Sequence, residues 1–83
     1  MSDNKSRQAA TIGSLVKVRE RGEDEEEVYR LGNVTRPLNN ELAPDNPMGK
    51  ALMGAAPGDQ ITVKGPIGPI EFDVLDVRHE ESA

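Results

Sequence analysis

Apolar and polar residues alternate along "TIGSLVKVRE". Ile12, Ser14, Val16 and Val18 fall on one side, and Gly13, Leu15, Lys17 and Arg19 on the other. A period of two is the pattern of a half-buried strand. "EVYRLGN" repeats it, with Tyr29 and Leu31 on one face and Val28 and Arg30 on the other. The intervening "RGEDEEE" reads as a turn, so the two strands form an antiparallel hairpin. Pro37 and Pro44 bar a central strand from "VTRPLNNELAP". Asn39-Asn40 suits a turn there, and Glu41-Leu42-Ala43 a short edge strand. The period then changes. In "PDNPMGKALMGAAPGD", Met48, Ala51, Leu52 and Ala55 recur at the spacing of one helix face. Asn46 is a good N-cap and Pro47 suits the first helical position. Gly54 or Gly58 ends the helix, with Pro57 as a stop. About two turns of helix do not hold by themselves in water, so the apolar stripe must pack on a sheet. "DQITVKG" is a third long strand with Ile61 and Val63 facing in, "PIGP" is a turn, and "IEFDVLDV" is a strand with Ile70, Phe72 and Val74 facing in. Its apolar phase shifts at Leu75 and Val77, which signals a bulge or a change of neighbour.

These elements predict an α+β domain in which four or five strands wrap one short helix. Residues 1–10 are polar and are expected to form a disordered tail. The domain is expected over 11–78, with 79–83 as a second tail. No repeat or low-complexity segment breaks the chain.

Composition narrows the picture. With 83 residues the chain is one domain or a piece of one, and a domain of this size buries only about 60% of its unfolded surface. The chain has no cysteine, so disulfides and thiolate chemistry are excluded. One tyrosine and one phenylalanine leave an aliphatic core and no stacking platform for bases. The net charge of −5 argues against binding nucleic acid backbones or anionic membranes. No apolar run approaches the ~20 residues of a membrane span, and "MSDNKSRQAA" lacks the apolar stretch of a signal peptide. A cytoplasmic protein is expected.

A search for chemistry returns little. Ser6, Ser14 and Ser82 lie outside any nucleophile-elbow context. His79 is the only histidine and is expected to be a solvated tail residue, so no metal site is expected. "GPIGP" follows a strand but opens another strand and lacks a phosphate-binding lysine, so it reads as a hairpin turn. "EDEEE" reads as a solvated tip, and Glu71 and Asp73 as the outer face of a strand. No catalytic residue and no cofactor are expected. A binding module fits better than an enzyme.

The run "NPMGKALMGAAPGDQITVKGPIGPIEFDVLDV" resembles the C-terminal domain of the GreA/GreB family of bacterial transcription elongation factors. The matching pieces are Asn46-Pro47-Met48-Gly49, Ala51-Leu52-Met53-Gly54, Gly58-Asp59-Gln60-Ile61 and Phe72 to Val77. "IGSLVKVRE" and "EEEVYRLG" resemble the family's first two strands. The resemblance covers residues 11–78 and lacks the family's N-terminal coiled coil. It implies an FKBP-like fold, a strongly bent antiparallel sheet of four to five strands around one short helix. It also implies docking on RNA polymerase, at the rim of the secondary channel, on a coiled coil of the largest catalytic subunit. The docking segment carried over by position is Asp45, Asn46 and Pro47, with Met48 beside them. Asn46 stands where the family has serine.

In this family the coiled-coil tip holds a catalytic Mg²⁺ and stimulates transcript cleavage. "EDEEE" lies too near the domain body to act as that tip. The resemblance therefore implies a monomeric module that docks and modulates transcription, or competes with Gre-type factors, without stimulating cleavage. Two alternatives stay open. One is an interaction domain for another protein, as in the nucleoside diphosphate kinase regulators that share this domain. The other is a peptidyl-prolyl isomerase, which two aromatic residues disfavour because such pockets are lined by several.

Overall fold

A computed structural model of the protein describes residues 9–79. Five strands form one sheet in the order β3-β2-β1-β5-β4. They are β1 (Ser14–Glu20), β2 (Glu26–Leu31), β3 (Glu41–Leu42), β4 (Gln60–Gly65) and β5 (Gly68–His79), with one helix, α1 (Pro47–Leu52), between β3 and β4.

The alternation in β1 becomes a buried row: Ser14, Val16 and Val18 are almost fully enclosed. β2 pairs antiparallel with β1, setting Tyr29 opposite Val16. β5 covers the other edge of β1 antiparallel, with Val77 opposite Val16 and Val74 opposite Val18. Val74 and Val77 are three residues apart, so a regular strand would send them to opposite faces. The register shifts between Lys17 and Val18, leaving Leu75 as an extra residue on β5. That bulge turns both valines inward, as the apolar phase shift requires. β5 also pairs with β4 over its first half, from Gly65↔Gly68 to Gln60↔Asp73.

The sheet is mixed, which corrects the all-antiparallel expectation. β3 runs parallel to β2, with Arg30 opposite Glu41 and Leu31 opposite Leu42. The segment from Gly32 to Asn40 supplies the return path. It carries a 3-10 turn at Pro37–Asn39, then Asn40 in the left-handed conformation at φ 55°. Asn40 tolerates that backbone and donates Nδ2–H to the Val28 carbonyl at 3.1 Å.

Three boundaries also move. Ala10 lies in the core at 3% exposure, and its backbone exchanges hydrogen bonds with Gly54 and Ala55. It is part of the domain and not of a tail; residues 1–8 of that expected tail lie outside the described residues. His79 closes β5 opposite Ser14 and so belongs to the sheet, not to the tail expected over 79–83; residues 80–83 of that expected tail lie outside the described residues. Ile12 is 41% exposed, because residues 12–13 form a turn before β1 begins.

The core is aliphatic, with Val16, Val18, Leu31, Leu52 and Val74 as its largest enclosed hydrophobic side chains. Tyr29, Met48, Met53, Ile61 and Phe72 pack around them. Burial of a residue such as Leu52 contributes about 1.5–3 kcal/mol. This contact is what holds a six-residue helix that could not persist in water.

Candidate functional site

The entrance to α1 begins with a turn. The Asn46 N–H donates to the Ala43 carbonyl at 3.0 Å, carrying Pro44 and Asp45 over an exposed bend. Asn46 is extended, and its Oδ1 accepts from the N–H groups of Met48 at 2.9 Å and Gly49 at 3.3 Å. The Lys50 N–H closes the first helical bond to the Asn46 carbonyl at 2.7 Å. Pro47 has no N–H to offer. Every backbone donor of this helix start is thus occupied or absent, and none is left for a ligand.

That result sorts the four residues singled out in the sequence. Asn46 is committed to the cap. Met48 is half-buried and packs on the core. Asp45 and Pro47 are exposed. The structure brings all four together on one bend, but it leaves a carboxylate and a proline ring as the outward chemistry. Lys50, also exposed, follows one turn later.

Two residues position this bend in ways the sequence pattern does not reveal. Gly49 is buried where the helix crosses the end of β3. A Cβ there would overlap the Ala43 carbonyl oxygen and lie 2.9 Å from its carbon and 3.3 Å from the Leu42 Cβ. A glycine beside the apolar stripe was the available signal. Thr35 is the second, its Oγ1 accepting from the Ala43 N–H at 3.0 Å. No local pattern announces it.

A separate cavity of about 220 Å³ opens near the β1–β2 turn. Val18, Glu20, Glu23, Glu25, Glu27, Tyr29 and Phe72 line it, so both aromatic residues of the chain share it. The Tyr29 hydroxyl donates to Glu27 Oε1 at 2.5 Å. Burial, then the hydrogen bond to Glu27 and its charge, push the phenol up to about 12. None of the lining residues belongs to the helix entrance.

The remaining candidates resolve into structure. Glu71 and Asp73 face outward and meet Arg21, at 2.6 Å and 4.0 Å. His79 Nδ1 shares a hydrogen bond with the enclosed Ser14 Oγ at 3.1 Å, which also accepts from the Thr11 N–H at 3.0 Å. "GPIGP" is the β4–β5 hairpin, with Ile67 at its exposed tip. Among the described residues, no group of three or more His, Cys, Asp or Glu is placed to hold a metal ion. Among the same residues, no helix is long and apolar enough to cross a membrane.

Comparison with known proteins gives a consistent result. Residues 5–79 match the family described as "Transcription elongation factor, GreA/GreB, C-term". The chain is 38% identical over 69 residues to transcription elongation factor GreA of Clostridium kluyveri, an alignment covering 81% of this chain and 43% of that protein. It is 35% identical over 78 residues to GreA of Roseiflexus castenholzii, covering 92% of this chain and 50% of that protein. The chain therefore spans about half the length of these relatives. Among solved structures, Thermus aquaticus Gfh1 superposes with a TM-score of 0.78 at 25% identity, covering 92% of this chain and 51% of that one. A GreA/GreB factor from Nitrosomonas europaea superposes with a TM-score of 0.71 at 25% identity, covering 87% and 62%.

Proposed function

Because the chain belongs to the GreA/GreB C-terminal family, with its FKBP-like α+β fold, we propose that it is a docking module for RNA polymerase. It binds the rim of the secondary channel, on a coiled coil of the largest catalytic subunit, and modulates transcription or competes with Gre-type factors. The observation that carries the reading is the helix entrance. Asp45 and Pro47 stand exposed at a helix start whose own backbone donors are occupied, at the positions of the family's acidic-Ser-Pro segment. A carboxylate beside a rigid apolar ring suits a surface that offers a cation and an aliphatic side chain. Because the bend is already ordered, binding loses little conformational entropy there.

The proposal assigns no catalytic step to these residues, and cleavage stimulation to none of them. Glu23 and Glu25 of the β1–β2 turn border a cavity on the domain itself, beside Tyr29 and Phe72. The reading places the protein in the cytoplasm with the polymerase, as a monomer that needs no cofactor. The isomerase alternative calls for an aromatic pocket, and here four glutamates share the cavity with the two aromatics. An interaction domain for a different protein is favoured by one observation, that same acidic cavity, which suits a basic partner.

The test is titration of the domain against purified core RNA polymerase, with a full-length Gre factor as competitor. Saturable binding that the competitor displaces is expected. Asp45→Ala combined with Pro47→Ala should abolish it while moving stability by less than about 0.5 kcal/mol, as for other exposed positions. Absence of binding at tens of micromolar (roughly −6 kcal/mol) would refute the docking reading.

A further inference from the structure

Thr35 sits on the segment between β2 and β3, ten residues before Asp45 in the chain. Its hydroxyl is the acceptor for the Ala43 N–H at 3.0 Å. Ala43 is buried, at 4% exposure, and is the last residue before the docking bend. Its two backbone groups face different tasks. The carbonyl accepts the Asn46 N–H at 3.0 Å, which forms the bend, and lies against Gly49 of the helix. The N–H points back to Thr35. Ala43, at the foot of the bend, is therefore held through both of its flanking peptides, its N–H by the β2–β3 segment and its carbonyl by Asn46 and the helix.

We propose that Thr35 is a positioning residue for polymerase docking: its hydroxyl fixes the Ala43 peptide and so aims the Asp45–Pro47 bend. The inference rests on the docking function proposed above. It goes further by placing a determinant of affinity on the β2–β3 segment, apart from the Asp45–Met48 residues assigned to docking. β3 is only two residues long and ends the sheet. Its single partner strand leaves Ala43 beyond the ladder, so the side chain of Thr35 does what a neighbouring strand would otherwise do. A buried N–H without a partner is strongly disfavoured. Removal of the acceptor is thus expected to turn the Ala43 peptide toward water and to loosen the bend.

The experiment compares Thr35→Val and Thr35→Ser with the wild-type domain and with Asp45→Ala, at a temperature where circular dichroism shows all four folded. Two quantities are read: affinity for core RNA polymerase, and hydrogen exchange at the Ala43 and Asn46 amides. Thr35→Val should bind about five- to tenfold more weakly, the loss expected for one hydrogen bond. It should speed exchange at those two amides and leave the Val16 and Val74 amides unchanged. Thr35→Ser restores the acceptor and should restore both readouts. Wild-type affinity in Thr35→Val, with weakened binding in Asp45→Ala, overturns the role of Thr35 and leaves the docking function standing. Failure of the serine variant to rescue also overturns it. If the wild-type domain does not bind polymerase at all, the docking function falls first and this role falls with it.

Discussion

Gly49→Ala tests the packing argument most directly. The glycine is in the helix interior and its φ is not positive, so the backbone itself accepts alanine. At an open helix position the change stabilises by about 0.8–1 kcal/mol. Here the added methyl runs into the Ala43 carbonyl oxygen and approaches the Leu42 Cβ at 3.3 Å. The carbonyl is not free to swing aside, because it accepts the Asn46 N–H and its own residue is tied to Thr35. Overpacking of this kind costs about 1–3 kcal/mol, and loss of the turn hydrogen bond adds about 1 kcal/mol. Net of the propensity gain, Gly49→Ala should destabilise the domain by about 1–3 kcal/mol. For a domain of this size each kcal/mol moves Tm by about 4–8 °C, so a fall of roughly 5–20 °C is expected. Thermal denaturation followed by circular dichroism measures it, with urea denaturation as a check on the slope. A variant as stable as wild type, or more stable, would refute the reasoning, because propensity would then have outweighed the contact.

Two further outcomes follow, one from the helix entrance and one from the β1–β2 cavity. Asn46→Ala removes the acceptor of two helix-start N–H groups and should cost about 1 kcal/mol in urea denaturation; Asn46→Ser, which restores a capping oxygen, should recover most of it, and equal stability of all three proteins would show that the cap is idle. Tyr29 should titrate late. An unperturbed phenol titrates at 10.0, whereas Tyr29 is raised to about 12, so the folded state keeps a proton that the unfolded chain gives up. Its contribution to stability is full below pH 10.0 and is lost as pH rises toward 12. With one tyrosine and no tryptophan in the chain, phenolate absorbance reports it cleanly. A folded-state midpoint near the unperturbed value would contradict the burial described, and Glu27→Gln should lower the midpoint by removing the nearby charge.

Much of this architecture was legible in the chain because each long element carries its own period. β1, β4 and β5 alternate, α1 carries a capped stripe, and even the bulge at Leu75 shows as a break in phase. What escaped was decided by path and contact. An edge strand is legible at Glu41-Leu42-Ala43, but the parallel direction of β3 depends on how nine residues return beside β2. Ala10 and His79 sit among polar letters that read as tails, yet each is held by a partner far away in sequence. The candidate site divides the same way. Asn46 and Pro47 announce a helix start by residue type. The packing of Gly49 and the reach of Thr35 exist only once β3 lies beneath the helix.

The pairing of β1 with β5 governs when this fold can form. Ser14 and His79 share a hydrogen bond across 65 positions of sequence, and β1 lies between β2 and β5 in the sheet. During synthesis the β1–β2 hairpin emerges before β5, and Val16 and Val18 stay uncovered until Val74 and Val77 follow. A lone hairpin is marginal at best in water, and contacts so distant along the chain form slowly. The sheet therefore closes only once β5 is available to pair with β1, so folding of this domain depends on its most sequence-distant contacts.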